Sequence, residues 1–182
     1  MKKYGFLLLL TFLFLCGCSK KEVDSALSKP PVLTVLCGEE SVEALTGSFA
    51  WAVPQKDGTI SHVIADALHP LDTKELLTPL TIRPSTVSRV DPRTAYLVFD
   101  GPLPDQVEVY RWVDGPDDPY TVQLESQKVD MGERIYGFEI KLEETYSIYE
   151  VCAQWGNSEQ EGGEVSYVFA AQLWVPTVQS IQ

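Results

Sequence analysis

The sequence predicts an all-β fold, an antiparallel β-sandwich with at most one short helical turn. Apolar and polar residues alternate with a period of two in eight or nine short segments after residue 31. Turn-forming residues separate these segments, and no amphipathic helix of ordinary length occurs among them. Because each such strand has one apolar face, a second sheet is needed to bury it.

The predicted strands are justified by their alternation and by the residues that end them. In the second strand, Phe49, Trp51 and Val53 share one face, and Pro54 ends the strand. In order along the chain, the predicted strands are Val32–Cys37, Ser48–Val53, Thr59–Ile64, Thr94–Phe99, Val107–Val113, Tyr120–Glu125, Ile135–Leu142, Tyr149–Trp155 and Val165–Val175.

Three local signals connect these strands. Lys56-Asp57-Gly58 is a turn signal that predicts a hairpin between the second and third strands. Asp72-Thr73-Lys74-Glu75 resembles a helix capping box and predicts a short helical turn over Leu76 and Leu77, ended by Pro79. The polar segment Gly156 to Gly163 predicts the loop of a closing hairpin.

The N-terminus carries the features of an export signal. Lys2 and Lys3 precede an apolar run from Phe6 to Leu15, which is too short for a membrane span of about 20 residues. The run ends in Leu15-Cys16-Gly17-Cys18, which resembles the lipobox of bacterial lipoproteins. The resemblance implies cleavage before Cys18 and attachment of diacylglycerol to its thiol, and two acyl chains hold a protein stably on a membrane.

This resemblance sets the expected organisation of the chain. Residues 1–17 would be a signal peptide, 18–31 a polar, lipidated tether, and 32–182 one extracytoplasmic domain. The expected location is the outer face of the cell membrane, where the lipid anchor makes the membrane itself a partner.

The charge of the chain limits its partners. Of 182 residues, 14 are basic and 26 are acidic, a net charge of −12. Cleavage before Cys18 removes two lysines and no acids, so the mature chain would carry 12 basic and 26 acidic residues, net −14. This charge excludes nucleic acid as an expected partner and favours basic ones.

The mature chain would have three cysteines, and two of them keep free thiol groups if Cys18 is lipidated. Cys37 and Cys152 could form a disulfide in an exported protein. It would close a loop of about 115 residues and add roughly 4–5 kcal/mol in the chain-entropy model. The alternative is two free thiols, because alternation turns Val151 and Ala153 inward and Cys152 to the opposite face. The sequence leaves both alternatives open.

No catalytic, metal or cofactor site is predicted. The histidines His62 and His69 lack ligands at metal-binding spacing, and His69 is expected to cap a turn or cover the core edge. Ser61 beside His62 has no third partner for nucleophilic catalysis. Two acidic groups are interpreted as a solvated turn and a charged hairpin tip; they are Asp114, Asp117 and Asp118, and Glu159, Glu161 and Glu164.

Aromatic residues are the candidate binding residues. The chain has four tryptophans, and Tyr110, Trp112 and Trp174 do not fall on the most apolar face of their strands. Outward-facing aromatic side chains could stack on a sugar or bind a protein. The alternative interpretation is that both faces of these strands are buried.

Two resemblances extend these predictions. The stretch from Thr94 to Val175, with Leu103-Pro104 in a turn and Trp112 within a strand, resembles an immunoglobulin-like or fibronectin-type module.

Five short motifs resemble lipoproteins of Gram-positive gut bacteria and the extracellular tails of membrane metallopeptidases of the β-lactam-sensor type. These motifs are Gly47-Ser48-Phe49-Ala50-Trp51, His69-Pro70-Leu71, Leu76-Leu77-Thr78-Pro79-Leu80, Tyr149-Glu150-Val151-Cys152-Ala153-Gln154-Trp155 and Tyr167-Val168-Phe169.

The likeness spans Val32 to Leu173 and implies an extracytoplasmic module that senses or binds. No peptidase activity carries over, since the chain has no His-Glu-x-x-His motif. The main hypothesis is therefore a non-enzymatic lipoprotein that binds a protein or glycan. The alternatives are an envelope hydrolase with an unrecognised acidic site and a sensory or inhibitory accessory to a membrane peptidase.

Overall fold

A computed structural model describes residues 28–83, 91–113, 119–130, 136–156 and 161–174. These parts of the chain form twelve strands and one 3₁₀ helix, Pro70–Leu76. The strands are β1 (Leu33–Cys37), β2 (Glu40–Glu43), β3 (Leu45–Pro54), β4 (Ile60–Ala65), β5 (Leu80–Ile82), β6 (Thr94–Phe99), β7 (Gln106–Trp112), β8 (Tyr120–Val122), β9 (Leu124–Asp130), β10 (Tyr136–Lys141), β11 (Ser147–Trp155) and β12 (Gly162–Leu173).

The strands form two sheets. The five-stranded sheet has the order β2-β1-β6-β10-β9, and every pair in it is antiparallel. The seven-stranded sheet has the order β4-β3-β12-β11-β7-β8. Its seventh strand, β5, pairs with the end of β12 and is parallel to it. The predicted all-β sandwich is confirmed, with this one parallel pair in an otherwise antiparallel fold.

The core lies between the two sheets and is filled by the apolar faces of alternating strands. At its centre the Trp155 ring makes edge-to-face contacts with Trp51, at 5.6 Å between ring centroids, and with Phe99, at 5.2 Å. Phe99 belongs to the five-stranded sheet and both tryptophans to the other, so these contacts join the layers. The Trp155 indole N–H donates to the carbonyl of Pro102 at 2.8 Å.

Two buried tyrosines fix the connections around the core. The hydroxyl of Tyr149 accepts the backbone N–H of Glu143 at 2.7 Å, which closes the turn between β10 and β11. The hydroxyl of Tyr167 donates to the carbonyl of Pro31 at 2.6 Å. The second bond joins residues that are 136 apart in sequence, so it holds the segment before β1 against β12.

Most strand predictions are confirmed, including the hairpin of β3 and β4 and the apolar faces of β10, β11 and β12. The predicted strand Tyr120–Glu125 is wrong, because the chain leaves the seven-stranded sheet after Val122 and joins the five-stranded sheet at Leu124. The short strands β2 and β5 are not predicted, since neither is long enough to show a clear alternation. The C-terminal end of the last predicted strand, at Val175, lies outside the described residues.

The predicted helical turn exists but begins earlier than its capping box. The 3₁₀ helix starts at Pro70, and the His69 ring nitrogen Nδ1 accepts the backbone N–H of Leu71 at 3.3 Å. Pro70 suits the first helical position because its φ is already fixed near the helical value. The expectation that His69 caps a turn is therefore confirmed. In the described residues, no helix is long and apolar enough to cross a membrane.

Candidate functional site

A groove of about 480 Å³ crosses the outer face of the seven-stranded sheet. Its lining comes from β4, β3, β12, β11 and β7, so it spans five adjacent strands. Cys152 on β11 lies opposite Glu108 of β7 on one side and Ser166 of β12 on the other. Since Val151 and Ala153 are buried between the sheets, alternation turns the side chain of Cys152 into the groove.

Three carboxylates surround the Cys152 thiol. Burial, together with the negative charges of Glu150, Glu108 and Glu164, raises the pKa of Cys152 to about 12. The thiol is therefore protonated across the physiological pH range. Since the thiolate is the reactive form of cysteine, this environment opposes a role for Cys152 as a nucleophile.

Two aromatic side chains hold two of these carboxylates in place. The hydroxyl of Tyr110 donates to Oε2 of Glu108 at 2.6 Å, and the indole N–H of Trp112 donates to Oε2 of Glu150 at 3.0 Å. The first bond is the largest cause that raises the pKa of Tyr110 to about 12. Both carboxylates are therefore oriented before any ligand arrives, which lowers the entropic cost of binding.

The aromatic residues predicted as a binding surface do not form one row. Trp112 is half-buried, and the His69 ring packs edge-on against it at 4.4 Å. Trp174 is 44% exposed. It follows Ala170 by four residues, and Ala170 lies in the same cross-strand row as Ile148 and Trp112. At about 3.3 Å per residue, Trp174 is roughly 13 Å further along the sheet. Tyr110 and Trp112 bond to carboxylates that line the groove, whereas Trp174 is not part of the groove lining.

The outer face of the seven-stranded sheet is apolar where the segment of the 3₁₀ helix packs on it. Ile148, Val168 and Ala170 form a small second cluster, on which Leu71 and Leu77 pack from the segment of the 3₁₀ helix. This segment accounts for the partial burial of Trp112, which packs against the same cluster. The outer face is thus divided into a half covered by the helical segment and a half that forms the groove.

The other predicted positions lie in different places. His62 is on the exposed strand β4, whereas His69 caps the 3₁₀ helix, so the two histidines have separate environments. Glu164 lines the groove, and Glu161 precedes β12. Within the described ranges, no group of three or more His, Cys, Asp or Glu side chains is arranged to hold a metal ion. Cys18, Asp114, Asp117, Asp118 and Glu159 lie outside the described residues.

Cys37 and Cys152 are free thiols in the structure, so the disulfide between them is not formed. Cys37 is buried in the five-stranded sheet, where its thiol donates to the carbonyl of Pro92 at 3.1 Å. Cys152 points away from the interface between the sheets. The two side chains therefore occupy different layers, as the alternation around Cys152 predicts.

Of the three carboxylates of the site, only Glu164 is among the sequence candidates. No motif marks Glu108 and Glu150, although each alternates with apolar residues on its strand. Their place on the outward-facing side of a strand is the sequence signal for the site, because charged side chains on the outer face of adjacent strands come together. No protein-family model matches the chain, and no curated protein or solved structure matches it.

Proposed function

We propose that this chain is a lipid-anchored extracytoplasmic lipoprotein whose β-sandwich binds a protein or glycan ligand without chemical conversion. The groove on the outer face of the seven-stranded sheet is the proposed binding site. The anchor rests on the resemblance of residues 15–18 to a lipobox and on the polar tether that follows.

The observation that carries the proposal is the construction of the groove. Its floor is made by five adjacent strands of one hydrogen-bonded sheet, so the floor is held more rigidly than a loop would be. The carboxylates of Glu108 and Glu150 are already oriented by aromatic donors. A preformed concave surface with a few placed polar groups is typical of a binding site.

We further propose that the sandwich is of the immunoglobulin-like type. The partial order β6-β10-β9 facing β12-β11-β7-β8 corresponds to the strand order of that family, with β1 and β2 added to one sheet and β3 and β4 to the other. The bond from Glu143 to the Tyr149 hydroxyl resembles the tyrosine corner at the equivalent position.

The anchor is tested by mass spectrometry and by detergent partition of the expressed protein. We expect a mature chain that begins at a diacylglycerol-modified Cys18 and enters the detergent phase, whereas Cys18→Ser stays in the aqueous phase. An unmodified mature N-terminus would refute the anchor.

The binding site is tested by capture from solubilised envelope of the producing bacterium, with the mature chain immobilised. Ala50→Tyr places a bulky ring in the groove from an exposed position on β3. Ser41→Tyr is the matched control, at an exposed position on β2 of the other sheet and outside the groove. We expect wild type and Ser41→Tyr to retain a protein or glycan that Ala50→Tyr loses. Equal capture by all three would refute the groove as the site.

A further inference from the structure

Strand β4 forms one edge of the seven-stranded sheet, and in the described part of the chain no strand lies beyond it. Five of its six residues are exposed and the last is half-buried. Ile64 is 74% exposed, Val63 46% and Ile60 37%. A strand with this composition at a sheet edge is an unusually apolar surface for a protein of net charge −12.

The hydrogen bonding of the hairpin shows which backbone groups face away from the sheet. Gln55 donates its backbone N–H to the carbonyl of Thr59 at 2.7 Å. In an antiparallel ladder the hydrogen-bonded pairs recur at every second residue, so Ser61 and Val63 bond to β3. The N–H and C=O groups of Ile60, His62 and Ile64 then point to the free edge.

β4 has none of the usual features that prevent an edge from pairing. Its six residues include no proline and no charged side chain, and its register with β3 is regular over the whole strand. Natural edge strands are commonly protected by a charge, a proline or a bulge. An unprotected edge of this kind can accept an added strand from another chain.

The charges around β4 select the partner. Asp57 precedes the strand and Asp66 follows it, and only Lys56 in the same turn opposes them. Asp66 lines the groove together with Ile64, so the edge is continuous with the site that contains Glu164. A second copy of this acidic chain would meet like charge, whereas a basic segment would be attracted.

We propose that β4 binds an extended, basic peptide segment by β-strand addition. The backbone groups of His62 and Ile64 pair with the segment. Its apolar side chains pack beside Val63 on one face, and the aliphatic parts of its basic side chains pack beside Ile64 on the groove face. A lysine or arginine lies at Asp66, near the groove. The inference rests on the proposed function, for which it names the class of ligand and the mode of binding.

The test uses the mature chain with Cys18→Ser and a labelled eight-residue peptide of alternating lysine and valine, followed by fluorescence anisotropy. His62→Pro removes one N–H that faces the edge and leaves the bonds to β3 intact. We expect it to weaken binding by about two- to twelvefold, the effect of one lost backbone hydrogen bond. His62→Ala keeps the N–H and is the matched control, with unchanged affinity. Asp66→Asn is expected to reduce the salt dependence of binding.

A second version of the test needs no protein variant. The same peptide, N-methylated at alternate amides, loses the backbone N–H donors along one of its two edges only. We expect one of the two methylation patterns to abolish binding and the other to be tolerated. Absence of peptide binding, or equal effects of both patterns, would overturn strand addition. A dimer of this chain that His62→Pro dissociates would overturn it too, since a second copy would then occupy β4.

The failure of this inference differs from the failure of the proposed function. Capture of an envelope ligand that is lost in Ala50→Tyr but unchanged in His62→Pro would refute strand addition and leave the groove as the site. Equal capture by wild type and Ala50→Tyr would refute the groove whatever the peptide does.

Discussion

Replacing Trp155 by phenylalanine tests whether the aromatic centre joins the two sheets. The Trp155 side chain is 1% exposed and makes edge-to-face contacts with Trp51 and Phe99. Its indole N–H also donates to the carbonyl of Pro102. Phenylalanine keeps one ring in the core but removes the indole donor and part of the ring volume, so the two losses can be added.

The expected cost follows from these two losses. The lost hydrogen bond to Pro102, which is only partly buried, costs about 0.5–1.5 kcal/mol. The smaller ring leaves a cavity that costs about 1–2 kcal/mol in lost burial and packing. We therefore expect the free energy of unfolding to fall by roughly 1.5–3.5 kcal/mol. In a domain of this size that corresponds to a decrease in Tm of roughly 3–14 °C.

The measurement is urea denaturation followed by far-UV circular dichroism, together with a thermal melt of the same samples. Trp174→Phe is the matched control, because Trp174 is 44% exposed at the end of β12. We expect the control to change the free energy of unfolding by less than about 0.5 kcal/mol. If Trp155→Phe is no less stable than Trp174→Phe, the aromatic centre does not contribute as the structure implies.

Four other predictions concern stability and the thiols. Tyr149→Phe, which removes the hydroxyl that accepts a loop N–H, is expected to lower the free energy of unfolding by about 1–2 kcal/mol in urea. Gly163→Ala is expected to prevent stable folding, because the new Cβ would collide with the backbone carbonyl of Ala50; an unchanged melting curve would contradict this. Without reductant, Cys37 and Cys152 should react slowly with a thiol reagent at pH 8 in the native protein and fully in denaturant. Since folding raises the pKa of Cys152 from 9.0 to about 12, its contribution to stability is complete below pH 9 and is lost as the pH rises towards 12; Cys152→Ser should reduce that loss.

The strands could be predicted because their signal is local. The alternation of Tyr149, Val151, Ala153 and Trp155 identifies the buried face of β11 whatever its neighbours are. The same alternation placed Cys152 on the outer face. The order of strands is not local, because it depends on which segments pair across long stretches of chain.

The groove could not be predicted because it depends on that order. Glu108 and Glu150 are 42 residues apart in sequence, and Glu164 is on a third strand. They come together only when β7, β11 and β12 lie side by side in the observed register. The end of β8 after Val122 could not be predicted either, because no turn-forming residue marks the point at which the chain changes sheet.

The outer face of the seven-stranded sheet is apolar where the helical segment packs on it and polar where it forms the groove. On β11, Ile148 lies beneath the helical segment, whereas Glu150 and Cys152, further along the same face, line the groove. On β12, Val168 is covered and Ser166 is in the groove. If a further apolar element of the protein packed on the groove, it would bury carboxylates that form no ion pair within the described part of the chain, at a large energetic cost. The sequence is therefore suited to leave this half of the sheet open to water or to a polar, basic ligand.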